Sequence, residues 1–150
     1  MNSPENPTEA HEVLDVVVRL FRAVEESDAA GYFDRTYHRD IVIHEAPSLP
    51  YGGVYQGLGG AAEHALAFMG TWAPHRGPGE ESMDAVIDAV PDHAYVRWTL
   101  RVAGRCFPFL SHYRFRDGLI VESRMYPFDV SDLVGWWVQL DAAADSTAGR

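Results

Sequence analysis

A histidine and a glutamate end a β-branched segment that opens into a rigid loop. The segment Asp-Ile-Val-Ile-His-Glu occupies residues 40–45, and Pro47, Pro50 and a Tyr-Gly-Gly turn at 51–53 follow it. β-Branched residues favour a strand, whereas proline and glycine favour a turn. Because imidazole and carboxyl groups both transfer protons, this pattern predicts small-molecule chemistry at the rim of a pocket.

Glu45 is the candidate general base in this segment. A carboxylate at the edge of an apolar cavity loses hydration, so its pKa rises and it becomes a better base near neutral pH. The alternative is a solvated strand end that pairs with an arginine. In a regular strand the neighbouring His44 points to the opposite face, which favours a structural or subunit-contact role for that histidine.

A second histidine lies in a helical pattern further along the chain. His64, Phe68 and Trp72 follow one another at four-residue steps, which puts an imidazole and two aromatic rings on one helix stripe. If that stripe faces a cavity, His64 can donate to a carbonyl or act as an acid. Otherwise it is a helix histidine that is hydrogen-bonded at the edge of the core. Tyr51 is a candidate lid residue and proton donor, or a turn residue packed on the surface.

The second half of the chain has the period-two pattern of an antiparallel sheet. The predicted strands are 84–90, 94–102, 107–115 and 119–128. On one face, alternation groups side chains that would line a mostly apolar cavity with Phe68 and Trp72, as in small-molecule pockets. The predicted substrate-binding residues on this face are Trp98, Ser111, Tyr113, Ser123 and Met125. A stripe of aromatic residues is also typical of an ordinary core.

The opposite face of the same strands is polar. Its residues carry opposite charges, which predicts a solvated surface or a contact with a second subunit rather than a catalytic site. These residues are Arg97, Arg101, His112, Arg114, Glu122 and Arg124.

Helical patterns precede and follow the strands. Residues 8–27 form an amphipathic pattern, and 28–37 form a shorter one. A third helix is predicted over 61–72, and a last one starts at 129–131. The small-residue tail at 142–150 is expected to fray. The apolar side chains of the last helix are Leu133, Trp136, Trp137 and Leu140.

Length, charge and cysteine usage limit the classes of protein to which the chain can belong. The 150 residues are 47% hydrophobic, which predicts a single domain at 1–150 with its core at about 8–140. The formal net charge of -10 argues against nucleic acid and membrane surfaces as partners. Cys106 is the only cysteine, so no internal disulfide can form and a cytoplasmic location is predicted.

The order of elements predicts an α+β fold. It indicates a cone in which helices cover the concave face of a strongly bent, mostly antiparallel sheet. Four motifs in this order resemble the nuclear transport factor 2-like superfamily, which includes ketosteroid isomerases and SnoaL-like polyketide cyclases. The motifs are Glu-Ser-Asp-Ala-Ala-Gly at 26–31, the strand at 40–45, Tyr-Gln-Gly-Leu-Gly-Gly at 55–60 and His-Tyr-Arg-Phe-Arg-Asp-Gly-Leu-Ile-Val-Glu at 112–122. The resemblance covers roughly residues 8–130, and it implies N-terminal helices over the concave face and a homodimer through the outer sheet face.

The resemblance also implies where a site lies and which groups it lacks. In the ketosteroid isomerases a carboxylate at the end of the first strand shuttles the proton, which corresponds to Glu45. The tyrosine and protonated aspartate that hold the enolate oxygen in those enzymes correspond to Leu20 and Ser111, so that oxyanion hole is absent. The histidine and aspartate of the SnoaL-like cyclases correspond to Ser111 and Met125, so their acid-base pair is missing as well.

These observations predict a cofactor-independent isomerase, cyclase or dehydratase that acts on a hydrophobic polycyclic or polyketide-like molecule. Glu45 is its base, and His64 or Tyr51 assists as donor. The alternatives are an epoxide-opening hydrolase and a non-catalytic module that binds a small molecule or joins a protein partner near Trp136 and Trp137. The seven histidines are scattered and no His-Glu-x-x-His, phosphate-binding glycine loop or dinucleotide fingerprint occurs, so neither a metal nor a cofactor is predicted.

Overall fold

The computed structural model describes residues 35–75 and 81–148 of the chain. The helices predicted at 8–27 and over most of 28–37 lie outside the described residues. The elements are β1 (Tyr37–Glu45), β2 (Gly53–Gln56), α1 (Gly57–Trp72), β3 (Glu81–Val90), β4 (His93–Val102), β5 (Arg105–Arg116), β6 (Leu119–Pro127) and α2 (Val130–Ala148). A single 3-10 turn, Ala73–His75, follows α1.

The six strands form one sheet in the order β2-β1-β6-β5-β4-β3. Four of the five neighbouring pairs are antiparallel, and β1 runs parallel to β6. Register shifts interrupt three of these pairs, and such bulges bend and twist the strands that carry them. The predicted α+β class with a curved, mostly antiparallel sheet is confirmed.

The meander from β4 to β6 depends on two tight turns. Ala103 and Gly104 have φ of 48° and 79°, and Asp117 and Gly118 have φ of 53° and 73°. Two successive residues with positive φ form the turn that matches the right-handed twist of a two-residue hairpin. The Asp-Gly and Ala-Gly signals in the sequence therefore set the register of the sheet.

The loop predicted after β1 contains a short strand that the sequence analysis missed. β2 pairs with the end of β1, and Glu45 lies opposite Gly53. The connection is compact, because a Cβ at Gly52 would lie 2.4 Å from the carbonyl oxygen of Ala46. Only glycine allows this close approach of the loop to itself, which closes the hairpin beside Glu45.

The last helix, α2, extends into the C-terminal tail, whose expected fraying stays a prediction. Asp129 caps α2, because its Oδ1 accepts a hydrogen bond of 2.9 Å from the backbone N–H of Asp132. The helix then continues to Ala148, although residues 141–148 are all exposed. Alanine has the strongest helix propensity, so the alanine-rich sequence of this end favours a helix without packing.

The inner face of the sheet carries the core. On β4 and β5, side chains alternate between buried and more exposed, and the buried set includes Trp98, Phe109 and Tyr113. Helix α1 packs on β1, and Leu133 of α2 is fully buried. The alternation predicted for these strands is confirmed, and it places one continuous cluster of aromatic side chains between the sheet and α1.

Candidate functional site

Glu45 ends β1 on the same face as Ile41 and Ile43, and it is only 5% exposed. Its Oε1 lies 2.7 Å from Nε2 of His64 on α1. Burial raises the pKa of the Glu45 carboxyl, and the hydrogen bond and the charge of His64 partly offset that rise. The alternative of a solvated strand end paired with an arginine is wrong.

The Glu45–His64 contact can hold a proton on either partner. When the carboxyl is ionised, the imidazole N–H donates to it; when the carboxyl is protonated, its O–H donates to a neutral Nε2. Both side chains are buried, so bulk water does not screen the exchange between these two states. The pair has the parts that general acid-base chemistry requires.

His64 is held in place by rings as well as by Glu45. Its imidazole lies 5.2 Å from the ring of Tyr55 and 6.1 Å from that of Phe68. His64 and Trp72 are buried and Phe68 is half-buried. The predicted helix stripe of one imidazole and two aromatic rings is confirmed, and it faces the inner side of the sheet.

Tyr51 lies inside the molecule, so the alternative of a surface turn residue is wrong. It is 1% exposed, and its ring meets Phe68 edge-on at 5.1 Å. Burial raises the pKa of its hydroxyl, and the charge of Glu45 acts in the same direction. Tyr51 is therefore a neutral O–H donor over the ordinary pH range.

The sheet supplies the opposite wall of the aromatic cluster. Trp98 stacks on Phe109 at 4.3 Å and lies 6.4 Å from Phe68, which joins the strands to α1. Its indole N–H donates to Oγ of Ser111 at 2.9 Å. Burial raises the pKa of Tyr113, which is 3% exposed. The aromatic lining predicted on these strands thus reaches the helix that carries His64.

The remaining predicted lining residues lie on β6. Ser123 is fully buried, and Met125 is half-buried and packs against the core. Ser123 lies opposite Ile43 of β1 and Tyr113 of β5, so its hydroxyl is on the inner side. All ten predicted site residues are therefore on one side of the sheet, and their catalytic and substrate-binding roles stay predictions.

Several buried polar atoms on this side have no hydrogen-bond partner within residues 35–75 and 81–148. They are Oε2 of Glu45, the hydroxyl of Tyr51, Nε1 of Trp72 and Oγ of Ser123. Buried polar groups in native proteins are nearly always hydrogen-bonded, so such atoms mark positions where water or a ligand supplies the partner. The four-residue spacing predicts only the place of the Trp72 ring, because a spacing pattern does not show where an indole N–H points.

A surface pocket lies away from these groups. This pocket of about 200 Å³ lies between the start of β5 and the start of α2, and Cys106, Phe107 and Asp132 contribute to its walls. It contains none of the predicted site residues. Over the part of the chain that the structure describes, no three histidine, cysteine, aspartate or glutamate side chains are arranged to hold a metal ion. No helix in that part is long and apolar enough to span a bilayer.

Comparison with known proteins identifies a family whose profile covers most of the chain. The sequence profile of the SnoaL-like domain matches residues 17–123. No curated protein sequence matches the chain significantly.

Solved structures of several proteins share the fold. Bal32a from a soil-derived mobile gene cassette is 15% identical, with a TM-score of 0.70 over 87% of this chain and 99% of that one. TerC, which was co-crystallised with polyporic acid, is 17% identical, with a TM-score of 0.67 over 81% of this chain and 95% of that one. A candidate polyketide cyclase from Sinorhizobium meliloti is 20% identical, with a TM-score of 0.54 over 75% of this chain and 94% of that one. Because the SnoaL-like profile covers most of the chain and the fold agrees, the chain belongs to the SnoaL-like family within the nuclear transport factor 2-like superfamily.

Proposed function

We propose that this protein is a cytoplasmic, cofactor-independent enzyme that isomerises, cyclises or dehydrates a hydrophobic polycyclic or polyketide-like molecule by acid-base catalysis. The single observation that carries the proposal is the buried Glu45–His64 pair, in which Oε1 and Nε2 are 2.7 Å apart while Oε2 has no hydrogen-bond partner among the described residues. A buried carboxyl with a raised pKa next to an imidazole is typical of a site that moves protons near neutral pH.

Each of these reactions starts with the same step. Oε1 of Glu45 stays hydrogen-bonded to His64, and Oε2 accepts a proton from a carbon next to a substrate carbonyl. The electron pair of the broken C–H bond forms a C=C bond, and the π pair of the carbonyl moves to its oxygen. Return of the proton to another carbon is an isomerisation, and its delivery to a leaving hydroxyl releases water. If the carbanion attacks a second carbonyl, the proton goes to that carbonyl's oxygen and a ring closes.

The surrounding side chains fit a flat, apolar substrate. Tyr51, Phe68, Trp72 and Trp98 form a continuous aromatic cluster beside the Glu45 carboxyl. Aromatic rings bind planar polycyclic molecules by stacking and edge contacts, and a water-poor site strengthens the interactions that stabilise developing charge. TerC, which has the same fold, was crystallised with polyporic acid, so that compound belongs in a first binding screen.

Deuterium exchange tests the proposal without knowledge of the natural substrate. Bicyclic and tricyclic ketones such as 2-tetralone are incubated with the protein in D₂O, and mass spectrometry follows the replacement of hydrogen next to the carbonyl. We expect the wild type to accelerate exchange for part of the panel, and Glu45→Gln to slow it by roughly 10²- to 10⁴-fold, as for loss of a positioned base. Glu122→Gln is the matched control, because Glu122 is a carboxylate on the outer face that is bonded to Arg114 and Arg124.

Two outcomes contradict the proposal. If Glu45→Gln exchanges a responsive ketone as fast as wild type, Glu45 is not the base. If no ketone exchanges faster than in buffer while tryptophan fluorescence reports tight binding of panel members, the protein is a small-molecule-binding module. Trp136 and Trp137, through which the alternative module would join a protein partner, are half-buried against the core.

We also propose a homodimer that forms through the outer sheet face. Three large apolar side chains are partly exposed there among charged groups: Tyr95 at 38%, Leu110 at 37% and Tyr126 at 50%. Leu110 lies opposite both Arg97 and Tyr126 in the sheet, so one mixed polar and apolar patch covers three strands. Sedimentation velocity is expected to show a dimer for the wild type and a monomer for Leu110→Glu; a monomeric wild type would rule the dimer out.

A further inference from the structure

Two buried hydrogen-bond donors, Tyr51 in the loop after β1 and Trp72 at the end of α1, have no hydrogen-bond acceptor among the described residues. Tyr51 is 1% exposed and Trp72 is 0% exposed. Neither the hydroxyl of Tyr51 nor Nε1 of Trp72 makes a hydrogen bond within the described part of the chain. Burial of a polar group without a partner is costly, so a ligand or a bound water is expected to complete both.

The two donors lie beside each other. Their rings are 6.2 Å apart and inclined by 74°, so the edge of one ring approaches the face of the other. Burial raises the pKa of the Tyr51 hydroxyl, and the indole N–H of Trp72 acts in the opposite sense. This effect arises because the indole N–H points toward the phenolic oxygen at close range, so the two donor atoms lie near each other. Their geometry nevertheless falls short of a hydrogen bond, which leaves both able to donate to a third oxygen.

The environment of the pair strengthens any hydrogen bond that it makes to a charged oxygen. Phe68 packs edge-on against Tyr51 at 5.1 Å, and His64 lies 6.3 Å from the same ring. In such a water-poor site, fixed donors bind an oxygen that carries negative charge more strongly than one that is neutral.

We propose that Tyr51 and Trp72 together hold one oxygen of the ligand, and that the class of ligand they select is a phenolate or an enolate. This inference rests on the proposed function, in which the oxygen is that of the substrate carbonyl. When Oε2 of Glu45 takes the neighbouring proton, negative charge moves to this oxygen, where the Tyr51 O–H and the Trp72 N–H stabilise it. Ser111, which takes the position of a donor in the resembled isomerases, accepts the indole N–H of Trp98 instead.

A nitrophenol provides a direct test of this preference. The neutral and ionised forms of 4-nitrophenol absorb at different wavelengths, and nitrobenzene has the same ring without the hydroxyl. We expect the wild type to bind 4-nitrophenol roughly 10- to 100-fold more tightly than nitrobenzene, as for hydrogen bonds to a charged oxygen. Absorbance titration is expected to show that the bound phenol ionises at lower pH than the free one. The shift should be larger in Glu45→Gln, because the charge of Glu45 repels a nearby anion.

Variants that each remove one of the two donors test whether Tyr51 and Trp72 cause the preference for 4-nitrophenol over nitrobenzene. Tyr51→Phe and Trp72→Phe keep a ring in place, and each is expected to weaken 4-nitrophenol binding about 10-fold while nitrobenzene binding stays the same. Trp136→Phe is the matched control, because it removes another buried indole N–H that has no hydrogen-bond partner in the described part of the chain. Trp136 lies on α2, where its ring packs against Arg105. This variant is expected to change neither affinity.

The outcomes separate this inference from the proposed function. The donor pair is rejected if bound 4-nitrophenol ionises less readily than the free compound, or if Tyr51→Phe binds it as the wild type does. Should Trp72→Phe fail to fold, the wild-type comparison and Tyr51→Phe decide. The nitrophenol experiment measures binding and not turnover. A preference for the phenolate would therefore support the donor pair even if the protein did not accelerate deuterium exchange. If the protein accelerates deuterium exchange of ketones but does not prefer 4-nitrophenol to nitrobenzene, the donor-pair inference is rejected and the assignment of Glu45 as the base is retained.

Discussion

The two faces of the sheet differ in whether their polar groups are paired with one another. Strand β5 points Ser111 and Tyr113 inward and His112 and Arg114 outward. On the outer face, Nε2 of His112 lies 2.8 Å from Nδ1 of His93, and Arg114 donates to Glu122 at 2.8 Å. Protein groups already satisfy one another there.

On the inner face, several buried polar atoms have no hydrogen-bond partner among the described residues. Oε2 of Glu45, the Tyr51 hydroxyl and the Trp72 N–H have no partner among the described residues, although all three side chains are buried. Since desolvated groups without partners destabilise a fold, they persist where an external molecule uses them. This contrast supports the proposal that the inner face carries the site.

Two carboxyl groups show the same contrast. Burial raises the pKa of Glu45 on the inner face, whereas a hydrogen bond from Arg124 and the charges around it lower the pKa of Glu122 on the outer face. Burial favours the protonated form of Glu45, whereas the ion-pair network favours the ionised form of Glu122. The two residues are of the same type, so their positions on opposite faces of the sheet determine the direction in which each pKa is shifted.

The largest effect on stability is expected from one phenylalanine of the inner cluster. Phe109 is 2% exposed and stacks on Trp98, so Phe109→Ala leaves a cavity and should lower the free energy of unfolding by about 3–5 kcal/mol. Phe128 is 87% exposed, and Phe128→Ala should change it by about 0.5 kcal/mol or less. Urea unfolding measures both. Equal losses would mean that the inner cluster contributes no more to the fold than an exposed ring.

A smaller effect concerns the pH dependence of stability, which should have opposite sign on the two faces. The pKa of Glu45 is raised from 4.5, so its stabilising contribution is present below about pH 4.5 and is lost as pH rises through the pKa in the folded state. The pKa of His112 is lowered from 6.5 by burial and then by His93, so its contribution is present above about pH 6.5 and is lost as pH falls.

Urea unfolding of Glu45→Gln and His112→Gln between pH 4.5 and 7.5 checks these signs. Relative to wild type, Glu45→Gln should gain stability as pH rises, and His112→Gln should gain it as pH falls. Parallel curves for the two variants would show that the two faces do not differ electrostatically in the way described.

The smallest effect is expected from the outer ion pairs. Arg114 and Glu122 are partly exposed, and pairs of this kind contribute about 0.2–1 kcal/mol. Arg114→Ala should therefore lower the free energy of unfolding by less than about 1 kcal/mol, and the difference should shrink in 1 M NaCl because salt screens the pair. A loss comparable to that of Phe109→Ala would mean that the outer network, too, is essential to the fold.

The sequence predicted the groups of this site better than their arrangement. A strand that ends on a carboxylate and a four-residue helical step were enough to find Glu45, His64 and Trp72, because strand and helix periods fix which side chains share a face. The alternation on β4 and β5 likewise predicted the aromatic wall. What the sequence left open was whether Glu45 meets an arginine or His64, since that depends on packing between β1 and α1.

Other features follow from contacts that no periodicity reveals. β2 is only four residues long and contains a glycine, so its strand character comes from its pairing with β1 rather than from propensity. Helix α2 runs through the exposed residues 141–148, where alanine-rich sequence and high helix propensity, rather than apolar periodicity, favour the helix. The sequence also did not predict that the Tyr51 hydroxyl and the Trp72 N–H are buried without a partner among the described residues, because a single sequence does not show which atoms are buried.

The parallel pairing of β1 with β6 has a consequence for how the protein folds. Ile43 lies opposite Ser123, so the strand that carries Glu45 finds its long neighbour only after the whole meander has been synthesised. Contacts between residues so distant in sequence require costly loop closure and slow folding, whereas the local β1–β2 hairpin closes quickly. Placement of Glu45 in its buried setting is thus coupled to completion of the sheet, and a nascent chain that stops before β6 has Glu45 on a two-stranded hairpin without the support of the sheet.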